Sequence, residues 1–133
     1  MPSYTVQIDK ITVQSVSDPT GNNDEVFLLC QSDAAVPLRV PPQPVVTQSM
    51  GSGSGAVTTW YPTDVDGNPV LVTFDHGMTI SLWDQDESWN VNKSDFLGVG
   101  SFHESSDDSN NFTVTNGDSS NYTIYWTRKN WGV

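Results

Sequence analysis

Apolar and polar residues alternate along most of this chain, and the alternation changes phase at a few definable places. In "YTVQIDKITVQSV", Tyr4, Val6 and Ile8 fall on a period of two, and a second set follows at Ile11 and Val13. That pattern predicts one long strand with a bend or register change near its middle. "EVFLLCQ" is a short apolar strand, and "AVPLRVPPQPVV" is held extended by its prolines and suits an edge position. Further strands are predicted in "AVTTWYPT", "VLVTF", "GMTISLW", "FLGVGSF", "NFTVTN" and "NYTIYWTRK". Turns are expected at Asp66-Gly67 in "DVDGNP" and at Asn116-Gly117 in "NGDSS". "SMGSGSGAV" reads as a flexible Gly/Ser loop at residues 49–56, since its flanks are too small to be separate domains. With no helical period, the economical answer is an all-β, antiparallel sandwich of eight or nine strands, a single domain over residues 1–133.

Charge narrows the function classes. Sixteen acidic residues against five basic ones give a formal charge of -11. Sequence-independent nucleic-acid binding depends on Lys and Arg neutralising phosphates, so no nucleic-acid partner is expected. Simple attraction to an anionic membrane is disfavoured for the same reason. The single cysteine, Cys30, lies in the apolar run "VFLLC" and is expected in the core. "MPSYTVQIDKITVQ" lacks the regions of a signal peptide, and no run is long and apolar enough to span a bilayer. These features suggest a cytoplasmic or peripheral-membrane location, with secretion by another route left open.

Candidate chemistry centres on carboxylates. In "LWDQDESWNVNKSDFLG", Asp84 and Asp86 lie two apart, so an extended backbone sends both side chains to one face, and Asp95 follows in the same segment. Crowded carboxylates either raise a pKa or recruit a cation. Calcium, which takes six to eight oxygen ligands, suits a loop that also lends carbonyls. A second acidic loop, "SVSDPTGNNDEVF", contributes Asp18 and Asp24. An isolated Asp-x-Asp is commonly a solvated turn, so the case for a metal requires both loops to emerge at one end, where Asp18, Asp24, Asp84, Asp86 and Asp95 would converge.

In the order and spacing of these pieces the chain resembles the C2 domain family, an eight-stranded β-sandwich whose apical loops bind calcium and often phospholipid. The resemblance covers roughly residues 4–127. It implies a calcium site formed by Asp18, Asp24, Asp84, Asp86 and Asp95, with backbone oxygens from Ser17 and Gln85, and it places Gly98 at the turn into the following strand. This chain departs from the family in a longer interval between Asp86 and Asp95, which would pass the last ligand role to Glu87 or Asn90. It also lacks a lysine-rich concave strand, since Lys10, Arg39, Lys93, Arg128 and Lys129 are scattered.

Trp89 and Val91 fall at the predicted tip of the long loop, placed either to enter a membrane or contact a ligand, or to cap the sandwich end. His76 and His103 are the only histidines, and neither stands in a nucleophile motif, so a non-enzymatic module is expected. The expected activity is calcium-dependent association with a phospholipid membrane, a glycan or a protein partner. Two other readings are a calcium-dependent adhesion or carbohydrate-binding protein and a metal-independent structural or inhibitory sandwich. The sequence leaves the oligomeric state open.

Overall fold

The computed structural model describes residues 4–16, 23–34, 36–42, 47–85, 94–103, 111–115 and 120–131; at 94–95, 111–115 and 130–131 only the backbone is described. Ten strand segments occur among them: β1 (Tyr4–Ser15), β2 (Asn23–Ser32), β3 (Leu38–Val40), β4 (Gln48–Gly51), β5 (Thr59–Trp60), β6 (Val70–Phe74), β7 (Gly77–Gln85), β8 (Ser94–His103), β9 (Asn111–Thr115) and β10 (Asn121–Trp131). All ladders between these strands are antiparallel, and they form two sheets.

The ten segments occupy eight lanes, because the edge lane of each sheet is broken in two. In the first sheet β5 pairs with Ile11 and Thr12 of β1, and β6 pairs with Tyr4 to Ile8 of the same strand, both opposite its β10 edge. In the second, β3 and β4 share the edge of β2 that faces away from β7. The lanes therefore run β5/β6-β1-β10-β9 and β3/β4-β2-β7-β8. Local chemistry accounts for both breaks. After β3 come Pro41 and Pro42, which have no N–H to give a ladder. After β5 a turn intervenes, in which Asp64 Oδ1 accepts the N–H groups of Asp66 and Asn68 at 2.9 and 3.0 Å. Gly67 there has φ +82°, which a side chain would oppose.

The phase change read in the first strand is a register shift between Ile8 and Lys10 against β10. It lets Val6, Ile8 and Ile11 all reach the core, where each is fully buried. The core fills the space between the sheets with Leu28, Ile80, Leu82, Leu97, Phe74 and Ile124 among others, and Trp126 packs edge-on against Phe102 at 4.6 Å between ring centroids. Cys30 lies in the same core.

The Gly/Ser stretch at 49–56 is only partly loop. Ser49 to Gly51 belong to β4, and Met50 is fully buried beneath it. Gly53 sits so close to β2 that an added Cβ would lie 2.6 Å from Asn23 Oδ1, which accepts the Gly53 N–H at 2.9 Å.

Candidate functional site

Register brings one set of strand ends together. Ser15 pairs with Asn121, Asn121 with Thr115, Asn23 with Gly51, and Gln85 with Ser94. At this end, called apical below, the inward face of each sheet continues the core alternation for one more residue. On β2 the series Cys30, Leu28, Val26 leads to Asp24, and on β7 the series Ile80, Leu82 leads to Asp84. Alternation alone thus carries two carboxylates inside. Asp24 is fully buried and Asp84 is 9% exposed.

A buried ionised carboxylate is tolerated only with partners, and both residues have them. From the opposite sheet Tyr122, itself fully buried, donates its phenolic O–H to Asp24 Oδ2. Asp84 Oδ1 accepts the Glu25 N–H at 2.8 Å, and the Glu25 carboxylate in turn accepts Ser49 Oγ–H at 2.7 Å. Burial, the hydrogen bond to Asp24 and the charges of Asp24 and Asp84 all push the Tyr122 phenol well above its ordinary pKa.

Of the seven residues expected at a metal, three can be placed with their side chains and a fourth by its backbone alone. Asp24 and Asp84 are brought to the same end on neighbouring strands, since Val26, two residues beyond Asp24, is the register partner of Asp84. Gln85 follows on the outer face, where its side-chain oxygen accepts Arg39 Nη2–H at 2.7 Å. For Asp95 the backbone alone is described, and its Cα register partner is Asp84. Ser17, Asp18 and Asp86, together with Trp89 and Val91, lie outside the described residues, as do Glu87 and Asn90. Among the described residues no three Asp, Glu, His or Cys side chains are grouped so as to hold a metal ion. The donors that are placed fit a hard dication in kind, being carboxylate oxygens, but two of them do not fill a calcium shell.

Sequence reasoning missed Tyr122 and assigned Asp24 to a loop. The available signal was the inward series Tyr122, Ile124, Trp126: a tyrosine that starts a buried face needs a partner for its hydroxyl. It also missed an aromatic row on the outer face of the second sheet, built by Phe27, Trp83 and Phe96.

The strands form an all-β, two-sheet antiparallel sandwich consistent with a C2-like fold. No family model matches the chain, and no curated protein matches it. It is similar to a solved structure described as Drosophila C2-DSL-EGF1, at 10% identity and a TM-score of 0.40, over 96% of this chain and 67% of that one. No helix among the described residues is long and apolar enough to cross a membrane.

Proposed function

We propose that the chain is a calcium-binding C2-like module whose association with a membrane or other ligand depends on the ion. The observation that carries this reading is the burial of Asp24 and Asp84 at the apical end, on paired strands of which β2 is preceded in sequence by Asp18 and β7 is followed by Asp86. Like charges held this close are stabilised by a shared cation, and oxygen ligands from acidic loops are what calcium selects. In this reading Asp18, Asp24, Asp84, Asp86 and Asp95 supply carboxylates, Ser17 and Gln85 lend main-chain oxygens, and Trp89 and Val91 make the apolar contact with the target. Calorimetric titration with calcium, paired with melts in calcium and in chelator, tests it. Binding to the folded state alone raises apparent stability by mass action; no heat and no shift at millimolar calcium would sink the proposal.

A second reading, a metal-independent structural sandwich, is supported by the partners the two buried carboxylates already have. Tyr122 and the Glu25 N–H each satisfy one of them without any ion. Under it, calcium leaves the melting temperature unchanged while Tyr122→Phe still destabilises the fold.

A further inference from the structure

The outer face of the sheet β3/β4-β2-β7-β8 carries three successive tiers of cross-strand neighbours. The tier nearest the apical end is aromatic: Phe27 pairs with Trp83, and Trp83 with Phe96. The next is Leu29, Ser81 and Val99, and the third is Gln31, Thr79 and Ser101, so hydroxyls and an amide follow the rings. Not one of these nine positions is a carboxylate, in a chain of formal charge -11. Among the described residues, the charged groups that border the tiers include Arg39, whose guanidinium lies over the Phe27 ring at 3.7 Å and donates to Gln85, and Glu25, one step beyond Phe27 on the same face of β2, whose carboxylate accepts Ser49 Oγ–H.

The rings are held in place by the fold itself. Phe27 and Trp83 lie nearly parallel, 11° apart with centroids 6.4 Å from one another, while Phe96 stands against Trp83 at 61° and 5.1 Å. The indole N–H is tied to Ser81 Oγ at 2.9 Å. Trp83 therefore spends little rotamer freedom on meeting a ligand. Phe27 is covered, but Trp83 is half-buried, Phe96 is 38% exposed and Val99 is 50% exposed. The four strands span about 14 Å.

We infer that this face is a binding platform for an uncharged saccharide, recognised independently of any metal. Sugar rings have apolar C–H faces and polar hydroxyl edges, which match a fixed aromatic surface bordered by the Gln85 and Gln31 amides and the Thr79 and Ser101 hydroxyls. Charge selects among ligands as well. The chain's net charge repels sialylated or sulfated glycans at long range, whereas a neutral glycan meets no such repulsion. The inference is separate from calcium binding, because the tiers lie on the outer face and Asp24 and Asp84 point inward.

The test is a glycan array of neutral, sialylated and sulfated glycans, probed with the intact chain in calcium and in chelator. Neutral glycans should be retained equally in both, and retention should fall about tenfold or more in Phe96→Gln and in Trp83→Ala, the scale of losing an aromatic contact. If Trp83→Ala does not fold, Phe96→Gln and Val99→Gln, at exposed positions, carry the test, with melting curves confirming the fold. The inference is overturned by an absence of neutral-glycan retention, by retention that vanishes in chelator, or by retention unaffected by these variants. Binding of phosphatidylcholine vesicles through the same residues without any glycan signal overturns it too, in favour of an apolar membrane contact.

Discussion

Tyr122 of β10 donates its hydroxyl proton across the sandwich to Asp24 of β2, joining the two sheets at the apical end through a hydrogen bond between fully buried side chains. Removing the hydroxyl leaves a buried carboxylate short of a donor. We expect Tyr122→Phe to cost about 1–3 kcal/mol in urea denaturation at neutral pH, the range for a buried polar group that loses its partner. Calcium, if it binds, compensates the same charge, so the cost should shrink when calcium is present.

The same phenol predicts an alkaline limit. Its pKa is raised in the folded state, so the native protein holds this proton more tightly than the unfolded chain does. The associated stability is complete below the unfolded pKa of about 10 and declines as pH rises above it. Phenolate absorbance from Tyr122 should therefore appear only together with unfolding, and Tyr122→Phe should flatten that decline. Ionisation of Tyr122 in the native protein near its ordinary pKa would contradict its burial.

At the opposite end Asp33 clamps the turn between β6 and β7. Its carboxylate accepts the N–H groups of Asp75 and His76, each at 2.8 Å, and these bonds hold its pKa below the usual value. A depressed pKa contributes stability above the unfolded value of about 3.9, lost as pH falls through the folded one. Asp33→Ala should lower the urea midpoint at neutral pH, and the difference from wild type should close on strong acidification. A gap that persists in acid would assign the effect to packing instead.

Cys30 should be chemically silent. Burial pushes its thiol up to about 12, so almost no thiolate exists near pH 8. Iodoacetamide should leave the native protein unmodified and alkylate it fully in denaturant, as read by mass spectrometry. Native labelling at the denatured rate would mean that β2 opens readily.

How much of this was legible in the sequence depended on the range of the interaction. Period-two runs gave the two-sheet sandwich, and the shift from Ile8 to Ile11 marked the irregularity in β1, because burial of one strand face is a local constraint. The Asp64–Asn68 turn was equally local and separates two strands that the sequence already predicts, whereas β4 falls in the stretch that the sequence predicts as a Gly/Ser loop. The sequence places Asp24 in the acidic loop "SVSDPTGNNDEVF". Its burial depends on Tyr122, 98 residues away, and no local window contains that partner. The aromatic row was hidden for the same reason, since Phe27, Trp83 and Phe96 become neighbours only through strand pairing.

The decisive substitution is Asp84→Asn. Its amide oxygen can still accept the Glu25 N–H, so the local geometry is kept while one of two buried negative charges is removed. In chelator the variant should be as stable as wild type or somewhat more so, because repulsion between the carboxylates is relieved. In calcium the order should reverse: wild type gains about 2.7 kcal/mol at a free ion concentration a hundred times the dissociation constant, and the variant gains much less. Acidification should erase the wild-type gain, since protons compete with the ion for the carboxylates. Urea curves of both proteins, in calcium and in chelator, measure all of this in one experiment. Equal stability of the two proteins in calcium would leave Asp84 as a structural carboxylate that accepts the Glu25 N–H.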